Sequence, residues 1–88
     1  MELIFKDSFL KDVKRIKETV VKKKITAVIS DSRKATSSLD LKNVKKLEGS
    51  AAYYGIRVGD YRIGIKLQGK TLIFMRWLNR KNIYRYFP

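Results

Sequence analysis

Apolar positions recur along this chain with two different periods. Phe9, Leu10, Val13 and Ile16 are spaced for one face of a helix, and so are Val20, Val21, Ile25, Val28 and Ile29. Ahead of them, MELIFK reads as a strand, and Asp7 or Ser8 is placed to cap the first helix. We read two helices that break near Thr19, forming a helical hairpin. A single long helix is the alternative, because no glycine or proline marks the break. SDSRKATSSLD reads as a polar, serine-rich loop. LKNVKKLEG follows, with Leu41, Val44 and Leu47 spaced to dip into a core.

In the second half the period changes to two. YYGIRV, YRIGIKL and TLIFMRWL read as three strands joined at GD and QGK. A two-residue turn at Gly59–Asp60 fixes the first register. It sets Val58 against Tyr61, Ile56 against Ile63 and Tyr54 against Ile65, an apolar face that suits the helices. The other face then carries Arg57 across from Arg62 and Gly55 across from Gly64. For the second turn, a three-residue QGK loop pairs Ile63 with Met75 and Tyr61 with Trp77, leaving Arg76 beside Arg62 and Phe74 beside Gly64. A two-residue loop turns Arg76 toward the core. The first register is preferred because an unpaired buried charge is expensive.

Charge gives this sheet face a meaning. The 88 residues hold 21 Lys and Arg against 8 Asp and Glu, a net charge of +13. The last carboxylate side chain is Asp60. Such an imbalance calls for a polyanionic partner. Arg57, Arg62 and Arg76 in a row across one face form a site for an anion, since guanidinium forks match phosphate oxygens. Gly55 and Gly64 leave room beside it for a backbone or a base. The segment WLNRKNIYRYFP places Arg80, Lys81, Tyr84, Arg85 and Tyr86 at its edge, where tyrosines can stack on bases of single-stranded RNA. Phe87 and Trp77 read as packing residues.

Other chemistries fail on inventory. With no histidine or cysteine and scattered acids, no metal site is expected. No phosphate-binding or dinucleotide fingerprint is present, and no Ser or Thr has a histidine base. No cofactor is expected. The absence of cysteine, of a signal-like start and of a long apolar run gives the cytoplasm as the expected location, with no membrane partner. Length and the lack of a linker suggest one domain over residues 1–88.

KKLEG, then YYGIRVGDYRIGI, then RWLNRKNIYRYFP together resemble the second half of the RelE/ParE superfamily of bacterial and archaeal toxins. The resemblance implies an α+β fold of order β-α-α-β-β-β, a helical hairpin packed on a mainly antiparallel sheet. RelE-type members are endoribonucleases that cut mRNA in the ribosomal A site. They are held inactive by a small antitoxin, through which the complex binds operator DNA. ParE-type members poison DNA gyrase on the same scaffold, and a fold alone does not choose between targets. The resemblance makes Arg62 and Tyr84 catalytic positions, with Arg57 the basic position on the preceding strand and Arg80 a further one. Arg76, Lys81, Arg85 and Asn79 would contact RNA. The reaction implied is attack of a 2′-hydroxyl on the adjacent phosphate, without metal. Asn79 stands where relatives often have histidine. That departure opens a third reading, a weakened toxin retained to bind antitoxin or nucleic acid.

Overall fold

A computed structural model describes residues 1–47 and 52–88. A strand β1 (Glu2–Phe5) leads into helices α1 (Asp7–Lys14) and α2 (Thr19–Lys34). Then come strands β2 (Val44–Lys46), β3 (Tyr53–Val58), β4 (Tyr61–Gln68) and β5 (Thr71–Asn79), and a one-turn helix α3 (Ile83–Tyr86). The strands form one sheet in the order β1-β5-β4-β3-β2. Among the described residues, only β1 and β5 run parallel; the other pairs are antiparallel. The mixed α+β fold and the helical hairpin agree with the sequence reading.

Each helix has a boundary that propensity alone misplaced. Residues 15–18 separate α1 from α2, close to the expected break. Lys6 occupies the N-cap position of α1, so neither Asp7 nor Ser8 caps it. Helix α2 continues through Asp31–Lys34, so the polar loop starts only at Ala35. Within that loop the Asp40 carboxylate accepts hydrogen bonds from the hydroxyl and N–H of Thr36 and the N–H of Ser37. These bonds, the Thr36 hydroxyl first, hold its pKa below the ordinary carboxylate value. Strand β2 and helix α3 are additions to the expected order; Glu48 and Gly49 of the KKLEG motif lie outside the described residues.

The core lies between the helices and one sheet face. Phe9 and Ile25 meet Ile56, Val58, Ile63, Ile65, Leu72, Phe74 and Trp77. The β3–β4 register is the one that the Gly59–Asp60 turn requires, with Arg57 opposite Arg62 and Gly55 opposite Gly64. Gly59 has φ +59°, the left-handed conformation that a two-residue hairpin turn uses.

The β4–β5 register corrects the sequence reading. The turn has two residues, Gly69 and Lys70, so Gln68 pairs with Thr71 and Ile65 with Phe74. An irregularity at Gly64/Ile65 then inserts Met75 as an extra residue. The shift restores Trp77 to the core opposite Ile63. Met75 and Leu78 go instead to a second cluster with Leu47, Ile83 and Phe87.

Arg76 does not join the arginine row, and its charge is not left unpaired. Its Nε and Nη2 donate to the Asp12 carboxylate at 2.8 and 3.3 Å. The same carboxylate accepts the Trp77 N–H at 3.0 Å. Beyond Phe5, the edge of β5 has lost its β1 partner, and α1 runs along it instead. The Lys6 N–H donates to Phe74 O, Ser8 Oγ donates to Met75 O, and Asp12 takes Trp77 N. Edge groups that would otherwise need water or another chain are thereby paired.

On the opposite face, the space above Gly64 is filled by the protein itself. A Cβ built on Gly64 would lie 2.8–2.9 Å from three ring carbons of Phe87. Phe87 is 4% exposed, and its ring meets Tyr53 edge-on at 5.5 Å. The opening expected above Gly64 is therefore a docking place for the C-terminal segment.

Two stability measurements follow. Asp12→Ala should cost about 1–3 kcal/mol in urea unfolding, because it orphans a backbone donor as well as Arg76. Arg76→Ala should cost less, since Asp12 keeps Trp77 N; equal losses would contradict this division. Gly64→Ala should cost about 1–3 kcal/mol through overpacking. In a Phe87→Ala background that cost should vanish, whereas an undiminished cost would mean that Phe87 is not what the added methyl meets.

Candidate functional site

Three of the expected site residues come together. Arg57 on β3, Arg62 on β4 and Tyr84 on α3 line one groove of about 340 Å³, with Asn43, Lys45, Gly55 and Ile83 among the other walls. Alternation puts Arg57 and Arg62 on the same sheet face, directly opposite each other. Like charges so placed oppose folding unless something offsets them. Arg62 Nη1 donates to the carbonyl oxygens of Gly59 and Tyr61 at 2.9 and 2.8 Å, which draws its head toward the turn. Among the described residues, no hydrogen bond engages the rest of its fork, which can donate to an anion. Arg57 is exposed, and its backbone N–H is fixed by Asn43 O at 2.9 Å. Asn43 makes this contact from φ 59°, a conformation asparagine tolerates better than most residues.

Tyr84 reaches the groove because α3 is amphipathic over a single turn. Ile83 and Phe87, four residues apart, are buried against the sheet. Tyr84 and Tyr86 point outward and are 63% and 56% exposed. The turn that starts α3 is built by Asn79. Its Oδ1 accepts the Lys81 N–H at 2.9 Å, and its carbonyl accepts the Asn82 N–H at 2.8 Å. This is an Asx turn, which asparagine makes readily. Asn79 therefore has a local task in aiming α3.

The remaining expected residues stand elsewhere. Arg76 is committed to Asp12. Arg80 and Lys81 are exposed on the turn before α3, and the Arg80 N–H donates to Asp60 O. The Arg85 guanidinium lies 5.7 Å from the Tyr86 ring. None of these four, nor Asn79, lines the groove.

Lys45 is a groove residue that the sequence reading missed. On β2 it pairs with Gly55 of β3, so it shares the face of Arg57 and Arg62. The signal was present in NVKKL, whose alternation sets Val44 inward and Lys45 outward, but a strand of three residues is too short to stand out. Lysine differs from its arginine neighbours in being able to give up its proton. The groove thus combines fixed positive charge, a transferable proton and an exposed aromatic ring, the elements needed to hold and cleave a phosphodiester flanked by a base. Among the described residues, no cluster of three or more potential metal ligands occurs, and no helix is long and apolar enough to cross a membrane.

No family model matches the chain. It is 45% identical over 89 residues to the toxin RelE3 of Methanocaldococcus jannaschii, with 100% of both chains covered. A chain in the crystal structure of the RelB–RelE antitoxin–toxin complex from Methanococcus jannaschii superposes with a TM-score of 0.79 at 44% identity, covering 97% of this chain and 99% of that one. The E. coli DinJ–YafQ complex shares the fold, with a TM-score of 0.63 at 20% identity over 94% of this chain and 97% of its counterpart. On full-length identity to a RelE toxin and on a matching fold, the chain belongs to the RelE family of toxin–antitoxin toxins.

Proposed function

We propose that the protein is an endoribonuclease that cleaves mRNA on the ribosome without a metal ion. The observation that carries this reading is the groove in which Arg57 and Arg62 face each other with Lys45 and Tyr84 beside them. In the reaction, a ribose 2′-oxygen attacks the adjacent phosphorus and the P–O5′ bond breaks, leaving a cyclic phosphate and a 5′-hydroxyl. The proton of the 2′-hydroxyl goes to water, and O5′ takes one from Lys45. Arg57 and Arg62 stabilise the charge that builds on the pentavalent phosphate. Electrostatic help of this kind is often the largest catalytic contribution. Tyr84 orients the flanking base by stacking, as aromatic side chains do with single-stranded RNA. The described lining of the groove, cationic and aromatic with no carboxylate among those residues, supports phosphate chemistry rather than hydrolysis by paired acids.

The reading extends to a partner. A toxin with a net charge of +13 would be neutralised by a small acidic antitoxin laid over this surface, where complementary charge also speeds association. The antitoxin–toxin complex named for the archaeal structure supports the same expectation. Any contact with operator DNA would be made through that antitoxin.

In a translation extract, the protein should cut mRNA only when ribosomes are engaged. Arg62→Ala should lower the rate about 10²–10³-fold, and Lys45→Ala about 10²–10⁴-fold, with circular dichroism and melting temperature close to those of the parent. Tyr84→Phe should keep most activity and Tyr84→Ala lose it, since stacking needs the ring and not the hydroxyl. Full cleavage by Arg62→Ala and Lys45→Ala would reject the assignment.

A further inference from the structure

A second groove, of about 280 Å³, lies between the α1–α2 connection and the ends of β4 and β5. Its walls include Arg15, Lys17, Glu18, Tyr61 and Trp77. The Tyr61 ring stacks on Trp77 with centroids 4.8 Å apart and planes 6° from parallel. Trp77 is 6% exposed, so it is a rigid floor, while Tyr61 is 38% exposed. Aromatic rings prefer offset-stacked or tilted contacts, and an exposed ring face is where a base can stack. Arg15 and Lys17 are exposed, and among the described residues neither is engaged in an ion pair. An aromatic platform beside unpaired cations matches one nucleotide: a base for the ring, and a phosphate for the cations.

We propose that this groove is a binding subsite for one nucleotide of a single-stranded RNA, next to the segment being cleaved. The inference rests on the RNA-cleaving reading of the Arg57–Arg62 groove and extends it. Tyr61 directly precedes Arg62 in β4, and the two side chains leave opposite faces at the turn end of the sheet. Tyr61 pairs with Asn79, and the Arg80 N–H donates to Asp60 O at this same end. An RNA strand leaving Arg62 can thus cross the sheet end past exposed Arg80 and place its next base on Tyr61. This gives Arg80, which lines neither groove, a place on the path.

Glu18 decides between occupants. Its carboxylate is an acceptor only. It suits a base with an exocyclic amine, and cytosine offers the N4 amine that a carboxylate accepts from. Uracil, with a carbonyl at that position, gains nothing from it. The subsite therefore favours cytidine over uridine at this nucleotide.

The test uses eight-nucleotide oligocytidylate and oligouridylate, fluorescein-labelled and 2′-O-methylated so that binding is read without cleavage. Anisotropy gives the affinity, and emission of Trp77, the chain's single tryptophan, reports contact at the subsite. Oligocytidylate should quench Trp77 and bind more tightly than oligouridylate, and Glu18→Gln should level the two. Tyr61→Ala should weaken binding about tenfold. Arg15→Ala with Lys17→Ala, both exposed and safe for folding, should reduce the slope of log affinity against log salt by about 1.4. Unquenched Trp77, or unchanged affinity and salt slope in these variants while Arg62→Ala binds more weakly, would overturn the subsite and leave the cleavage site standing. If Arg62→Ala also binds as the parent does, both readings are overturned.

Discussion

The ring of Phe87 lies against the backbone of Gly64, so closely that no side chain fits between them. This contact is the constraint on which the functional face depends. A helix of four residues has no stability of its own in water. It persists here because Ile83 and Phe87 anchor it on the sheet, joined by Leu47, Met75 and Leu78. Once it is anchored, Tyr84 has nowhere to point but outward, beside Arg57 and Arg62. The glycine therefore serves the site indirectly. It leaves space for packing rather than an open cleft, and the packing then aims the tyrosine.

A second constraint acts at the other edge of the sheet. Where β1 ends, α1 takes over the unpaired side of β5, and Asp12 closes both an ion pair and a backbone bond. This arrangement explains why the register of β5 was hard to read. The three-residue loop was preferred because a two-residue loop drives Arg76 inward. Local pattern carries no sign of the counter-charge, which comes from a residue 64 positions away. Alternation also has no means of signalling one inserted residue, and Met75 is such an insertion. The β3–β4 hairpin, by contrast, was legible to the residue because a two-residue glycine turn sits symmetrically between two alternating runs.

The site was legible to the same extent. Arg57 and Arg62 follow from the hairpin register alone. Tyr84 follows from the basic and aromatic C-terminal segment, and the family motif adds its catalytic position, while Ile83 and Phe87 at helical spacing carry the hint that the segment turns rather than extends. Lys45 was invisible because its strand has only three residues, and Tyr61 because its pairing with Trp77 was read as core. Asn79 acquires a role that neither motif nor composition suggests. Its carboxamide builds the turn into α3, linking the end of the sheet to the aim of Tyr84.

Charge then organises what the packing has positioned. The cations outnumber the acids across the chain, yet Arg76 is spent on Asp12 and part of Arg62 on the turn carbonyls. Lys45, Arg57 and the head of Arg62 stand beside the groove, and in the proposed function they form a track for a polyanion. All of it presupposes that the C-terminal residues are docked. The most direct measurement is proton NMR of the free protein. Docking predicts a Gly64 Hα resonance shifted upfield by the Phe87 ring, with nuclear Overhauser contacts between the two. A Gly64 Hα at its random-coil position without contacts to Phe87 would contradict the account.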